Sequence, residues 1–171
     1  MTVNSNEPFD HAVTWPEIHR DTRLLVRKLM DKGPWKGIVA LTRGGLVPAA
    51  IVAREMGIHV VDTLCISTYD EQKMGIVNVL KTPDAAMENG GEGWLLIDDL
   101  VDTGTTAKKA REILPNAFFA TVYAKPEGQE TADMYVHEID QDVWVNFPWD
   151  TEQQYVAPMS KRDKEMSKRD K

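Results

Sequence analysis

The sequence predicts an α/β fold whose central sheet is mostly parallel and flanked by helices, and three passages along the chain predict it. In the first, the apolar run Trp94-Leu95-Leu96-Ile97 leads into Asp98-Asp99, then Asp102, a Thr/Gly-rich turn and helix-forming residues from Ala107. A continuous apolar run of this length suits a strand covered on both faces, as strands of parallel sheets are. In the second, Gly37–Leu41 reads as a strand, Thr42-Arg43-Gly44-Gly45 as a tight turn and Leu46–Met56 as a helix with Pro48 in its first turn. In the third, the strand Ala117–Ala124 ends at Lys125-Pro126. In open α/β sheets, ligands bind at the carboxyl ends of the strands. All three passages place chemistry there: carboxylates, a glycine-rich turn and a lysine.

Composition sets the outer limits. The chain has 171 residues, enough for one domain with a real core, and its 42% apolar and 27% charged content is that of an ordinary globular protein. The formal net charge of −7 argues against a nucleic-acid binder working through a basic face. A single cysteine, Cys65, excludes an internal disulfide and reads as buried filler in the run Val60–Ile66. No stretch has the length and apolarity of a membrane span and no signal peptide is visible, so the expected location is the cytoplasm.

The remaining elements follow in order. Residues 1–11 are polar. Thr14-Trp15-Pro16-Glu17 opens a helix that continues through Ile18–Met30 and stops at Gly33-Pro34. His19 on that helix faces solvent or a partner subunit; nothing around it calls for a base. Val60–Ser67 is a strand, Thr68–Leu80 a polar loop containing Gly75, and Thr82–Gly93 a surface connection. The helix Thr105–Leu114 is stopped by Pro115-Asn116. Val136–Ile139 and Val143–Phe147, flanking the acidic turn Asp140–Asp142, read as a small hood; its expected contributions are residues 1–15 and 130–158 of a domain spanning 1–158. The tail, 159–171, repeats Met-Ser-Lys-Arg-Asp-Lys twice and reads as a charged, disordered extension.

The segment from Leu95 to Thr106 resembles the phosphoribosyl pyrophosphate (PRPP) motif of the type I phosphoribosyltransferases: apolar residues, two acidic residues, then Asp-Thr-Gly-x-Thr. The family varies at the position of Thr105. The resemblance extends through Trp35–Pro48, Ser67–Asp70, Ala124-Lys125-Pro126 and Asp142–Val145, and covers Val13 to Ser160. It implies the type I phosphoribosyltransferase fold. It also implies transfer of the 5-phosphoribosyl group from PRPP to the imidazole nitrogen of xanthine or guanine, with hypoxanthine used more weakly, giving XMP or GMP and pyrophosphate.

Residue by residue, the resemblance implies the following roles. The backbone and hydroxyls of Leu100, Val101, Asp102, Thr103, Gly104, Thr105 and Thr106 hold the ribosyl phosphate, as a helix start suits an anion. Asp98 and Asp99 hold the ribose hydroxyls and Mg2+, directly or through water, with the metal assigned chiefly to Asp99. Arg43 and Gly44 grip pyrophosphate, and the Arg43–Gly44 peptide is the one that can be cis in the family. The family's loop arginine falls on Gly75, leaving Lys73 to supply a positive charge, as a point charge and not a fork. Asp102 accepts a proton from the imidazole side of the base or only orients it. Lys125 donates to the six-position oxygen, Trp144 stacks on the ring, and the Val145 carbonyl meets the two-position substituent. Asp98, Asp99 and Asp102 form the catalytic set. The implied assembly is a homotetramer, with peripheral contact with the cytoplasmic face of the inner membrane admitted and no nucleic-acid partner. A hypoxanthine-preferring enzyme and a non-catalytic PRPP-binding regulator of the same fold remain the alternatives; a Rossmann protein does not, because its glycine fingerprint follows the first strand.

Overall fold

The structure, a computed structural model, describes residues 10–69 and 76–150. In chain order the elements are β1 (Asp10–Ala12), α1 (Trp15–Leu29), β2 (Gly37–Thr42), α2 (Leu46–Met56), β3 (Val61–Tyr69), β4 (Ile76–Lys81), α3 (Asp84–Met87), β5 (Trp94–Val101), α4 (Thr105–Ile113), β6 (Phe118–Ala124), β7 (Met134–Glu138) and β8 (Trp144–Asn146). The described residues divide into two compact units, 16–141 and a smaller one made of 10–15 with 142–150.

The larger unit holds a six-stranded sheet in the order β4-β3-β2-β5-β6-β7. Every pairing is parallel except β3 with β4. The α/β class with a mostly parallel sheet is therefore as expected. The order explains where a ligand site can form. From β2 the chain moves outward to β3; β5 then returns to the opposite side of β2. Connections leaving the carboxyl ends of β2 and β5 diverge, which opens a crevice at that edge.

Both central strands are buried on their two faces, as their unbroken apolar runs require. Val39, Leu41, Leu64, Leu96 and Phe119 pack in one cluster with Ala107, Ala110 and Leu114, the apolar side of α4 and its exit. The alternate residues Ile38, Ala40, Leu95 and Ile97 are also fully buried, and α2 packs against β2 and β5. Register fixes the site: Ile38 lies beside Leu95 and Ala40 beside Ile97, so the turn that begins at Thr42 starts level with the Asp98-Asp99 pair of β5.

Four expectations need correction. Ile76–Lys81, read as loop as far as Leu80, is an antiparallel edge strand; Val77 and Val79 are partly buried while Asn78 and Leu80 are exposed, which is how a strand with one covered face behaves. The connection after it contains the single-turn helix α3, anchored by buried Ala86. Strand β5 does not stop at Ile97 but runs through both carboxylates to Val101, paired to β6 as far as Ala124. Met134–Glu138, expected in a hood, is the last strand of the main sheet, pairing with β6.

The smaller unit contains β1 and β8 in parallel, with Asp10 opposite Trp144 and Ala12 opposite Asn146. The Val13 N–H donates to the Asn146 carbonyl at 2.8 Å. Phe147 stacks on Trp149 with ring centroids 4.8 Å apart, and Trp15 meets Trp149 edge-on at 6.0 Å. The charged tail lies outside the described residues.

Candidate functional site: the carboxyl ends of β2, β5 and β6

At the end of β2 the chain reverses in four residues. The Gly45 N–H donates to the Leu41 carbonyl (2.8 Å), the Leu46 N–H to the Arg43 carbonyl (3.1 Å), and α2 begins. The cis peptide here is Thr42–Arg43, one bond earlier than the family resemblance suggested for Arg43–Gly44. Arg43 is exposed. Gly44 lies flat against the Asp99 carboxylate: a Cβ on residue 44 would overlap Asp99 Oδ1, Cγ and Oδ2. The turn from β2 and the carboxylate from β5 are thus in direct contact, although 55 positions separate them in sequence.

Asp98 and Asp99 lie inside β5 and therefore point to opposite faces of the strand. Each carboxylate takes a hydrogen bond from the next backbone amide, Asp98 Oδ1 from the Asp99 N–H (2.9 Å) and Asp99 Oδ1 from the Leu100 N–H (2.6 Å). Burial, and after it the neighbouring charge of Asp99, pushes the Asp98 carboxyl well above its ordinary range. Two successive carboxylates stand here at the sheet edge, and the missing Cβ at residue 44 lets the β2 turn lie directly against that of Asp99. Such a site suits a hard dication. Among the described residues no three acidic, histidine or cysteine side chains gather to enclose one. Magnesium commonly takes one or two carboxylates and completes its shell with water and substrate oxygens.

Beyond β5 the chain passes through Asp102 and Thr103, both exposed, to Gly104, whose φ of 80° is the left-handed conformation that glycine adopts without strain. Gly104 caps α4, and its carbonyl accepts the Lys108 N–H at 2.8 Å. The first amides of a helix have no acceptor within it and so present donors to an anion. The Thr103 and Thr105 hydroxyls lie 3.1 Å apart at this turn.

Lys125, at the end of β6, is only 4% exposed. Its backbone N–H donates to the Val101 carbonyl at 2.9 Å, which fastens it to the end of β5. Its ammonium donates to Asp102 Oδ2 at 3.1 Å and more loosely to the Gln141 carbonyl at 3.4 Å. Gln141 Nε2 donates to the other Asp102 oxygen, Oδ1, at 2.8 Å.

Arg43, Gly44, Asp98, Asp99 and Leu100–Thr106 are thus brought to one sheet edge with Lys125. Trp144 and Val145 belong to the smaller unit, where Trp144 is exposed, its indole Nε1 donating to Asn146 Oδ1 at 3.2 Å, and Val145 is buried. Lys73 lies outside the described residues. Gln141 was missed. A glutamine in an acidic turn carries no motif, and only the fold brings it to Asp102.

A phosphoribosyl transferase domain family model matches residues 13–155. The chain is 52% identical over 154 residues to a xanthine-guanine phosphoribosyltransferase of Desulfotalea psychrophila, covering 90% of this chain and 94% of that one. It is 55% identical over 148 residues to the enzyme of the same name from Nitratidesulfovibrio vulgaris, covering 86% and 88%. The crystal structure of a purine phosphoribosyltransferase from Pyrococcus horikoshii superposes with a TM-score of 0.73 at 22% identity, covering 87% of this chain and 99% of that one, a likeness of fold. The chain belongs to the phosphoribosyltransferase family.

Proposed function

We propose that this enzyme transfers the 5-phosphoribosyl group of PRPP to xanthine or guanine in purine salvage, with hypoxanthine the weaker acceptor. The observation that carries this reading is the seating of the Gly44 turn on Asp99, beside a Gly104-led helix start, at the topological switch of the sheet. The identities of 52% and 55% to enzymes named for xanthine and guanine support the choice of bases.

In the reaction an imidazole nitrogen of the purine forms a bond to the anomeric carbon of the ribose. The bond from that carbon to pyrophosphate breaks, its electron pair leaves with pyrophosphate, and the nitrogen's proton is released. The anomeric carbon passes through an oxocarbenium-like state. Asp98 and Asp99 hold the ribose hydroxyls, and Asp99 is the principal ligand for magnesium. Bound magnesium neutralises charge on the leaving pyrophosphate. The Leu100–Thr106 loop, with the Thr103 and Thr106 hydroxyls, holds the ribosyl phosphate. Arg43 and the Gly44 backbone grip the pyrophosphate, with Lys73 as an added charge. Asp102 accepts a hydrogen bond, and then the proton, from the imidazole side of the base. Lys125 donates to the six-position oxygen, which favours 6-oxopurines over adenine. Trp144 stacks on the ring and the Val145 carbonyl meets the two-position substituent.

The assembly we propose is a homotetramer acting in the cytoplasm, on the support of the family resemblance, with peripheral contact with the inner membrane as its one association there. No helix among the described residues is long and apolar enough to cross a membrane. Light scattering of the purified chain should give a mass of four subunits.

The decisive test is a steady-state assay with PRPP, magnesium and each of xanthine, guanine, hypoxanthine and adenine. Turnover should be high with xanthine and guanine, weak with hypoxanthine and absent with adenine. Binding of PRPP without turnover of any purine would replace the enzyme with a regulatory protein of the same fold.

A further inference from the structure

Gln141 makes three polar contacts that join the two residues proposed to read the purine. Its Nε2 donates to Asp102 Oδ1 at 2.8 Å, its Oε1 accepts the Glu127 N–H at 3.0 Å, and its backbone carbonyl accepts from Lys125 Nζ at 3.4 Å. The orientation of the amide is set by chemistry: a carboxylate can only accept and a backbone N–H can only donate, so Nε2 must face Asp102 and Oε1 must face Glu127. Lys125 takes the remaining Asp102 oxygen at 3.1 Å. Asp102 and Lys125 therefore satisfy each other. When Lys125 turns its ammonium to a six-position oxygen, Asp102 loses that contact, and the donor left on it in this cluster is Gln141. A half-exposed aspartate has several rotamers available, and only a second, fixed donor keeps it aimed during the exchange. Glu127 follows Lys125 by two residues, so its amide fixes the Gln141 side chain to the same β6 exit that carries the lysine.

We infer that Gln141 is the positioning residue for purine recognition, holding the Asp102 carboxylate toward the imidazole side while Lys125 is drawn to the six-position oxygen. The inference rests on the proposed function, and it assigns to Gln141 a role that acts through Asp102 and not on the substrate itself. Gln141 is also the last residue of the larger unit before the chain enters the segment with Trp144 and Val145.

Two variants separate positioning from mere packing. Gln141→Met keeps the volume and removes both side-chain hydrogen bonds. Gln141→Glu keeps an acceptor for the Glu127 amide but sets a carboxylate against Asp102. The charged groups around it are Asp102 and Lys125 from the packed elements, Glu127 on the β6 exit, and Asp140 and Asp142 on its own turn. For Gln141→Met the purine KM should rise roughly 5- to 30-fold, with the PRPP KM within about twofold of the parent, the scale expected for one or two hydrogen bonds to a charged group. For Gln141→Glu the purine KM should rise further at pH 8. It should recover as the pH falls toward 6, where protonation of the introduced carboxyl restores a donor to Asp102. Equal changes in the purine and PRPP constants, or a Gln141→Glu enzyme with the parent's pH profile, would overturn the assignment. The parent enzyme is assayed alongside: no turnover by the parent removes the functional reading and this inference with it, whereas parent turnover with unmoved purine constants in both variants removes the inference alone.

Discussion

One methyl group at residue 44 is expected to silence this enzyme without unfolding it. Gly44 does not lie at positive φ; it is glycine because the Asp99 carboxylate occupies the space a side chain would take. Gly44→Ala must push the turn and the carboxylate apart by about an ångström, and displacement on that scale at a reacting centre costs on the order of 100-fold in rate. We expect kcat/KM for PRPP to fall by that factor or more while the circular dichroism spectrum stays unchanged. The neighbouring Asp98 predicts the opposite trade. Its burial and the charge of Asp99 oppose ionisation, so at neutral pH the ligand-free fold is destabilised by keeping it charged. A group raised in the fold contributes its stability at low pH and loses it as pH rises. Asp98→Asn keeps the Oδ1 that accepts the Asp99 N–H, removes the charge and should raise the metal-free melting temperature by roughly 2–4 °C, the worth of about 1 kcal/mol in a chain of this size. The same variant should lose most activity. A lower melting temperature in chelator would show that the charge is compensated in the free protein. These residues were legible in the sequence because a phosphate loop and paired carboxylates need fixed residue types at fixed spacing. Gln141 was not, because a glutamine can be recruited from any turn the fold brings near.

At the scale of the elements, a second polar cluster fastens the segments around β6 and β7 to α4. Arg111 of α4 donates from Nε to the Thr131 carbonyl (3.1 Å), from one terminal nitrogen to the Ala117 carbonyl (2.7 Å) and from the other to Asp133 Oδ2 (2.6 Å). Asp133 Oδ2 also accepts the Phe119 N–H at 2.7 Å. Arg111→Met leaves two carbonyls and one carboxylate without their shared donor, and should cost about 2–3 kcal/mol in urea unfolding, in the range of hydrogen bonds to a charged group; a cost under half of that would mean water replaces the guanidinium. Asp21 of α1 plays a similar part across β6 and β7. Burial alone would raise its carboxyl, but Arg20 Nε at 2.8 Å, the Tyr123 hydroxyl at 2.7 Å and His137 at 3.3 Å outweigh it and hold the group below its ordinary 3.8. A lowered value means stability that is present above the ordinary pKa and lost as pH falls through the lowered one. Tyr123→Phe should therefore shift the acid-unfolding midpoint upward, while stability at pH 7 drops by about 1–2 kcal/mol; an unmoved acid midpoint would remove the tyrosine from this account. Central strands and helices could be read directly, since buried runs and glycine-bounded helices leave strong periodic patterns. Strand β4 could not: it has one covered face, its pattern is weak, and the loop of the resembling family overlies it in sequence. Strand β7 was displaced to a hood for the same reason, as every one of its residues is at least partly exposed.

For the whole molecule, the strand order decides where substrate binding must be felt. The crevice opens because β3 and β5 lie on either side of β2, so one ligand spanning the Gly44 turn and the Gly104 loop bridges connections that otherwise diverge. PRPP is such a ligand only if its pyrophosphate and its ribosyl phosphate are both held, and on the proposed reading the first hold needs a cation between the substrate and Asp99. Binding to the folded state alone stabilises it by about 2.7 kcal/mol at 100 times the dissociation constant. For a chain of this length that is roughly 5–10 °C in melting temperature. PRPP with magnesium should give a shift of that size at saturation. PRPP with a chelator should give less than half of it, since on the same reading the Leu100–Thr106 loop still holds the ribosyl phosphate without the metal. Asp99→Asn should show the smaller shift whether or not magnesium is present, because the cation has lost its principal ligand. Equal shifts with magnesium and with chelator in the parent would mean that the β2 turn and the loop backbone suffice for pyrophosphate, and Asp99 would then be a ribose ligand whose contact with Gly44 serves only to align the two connections.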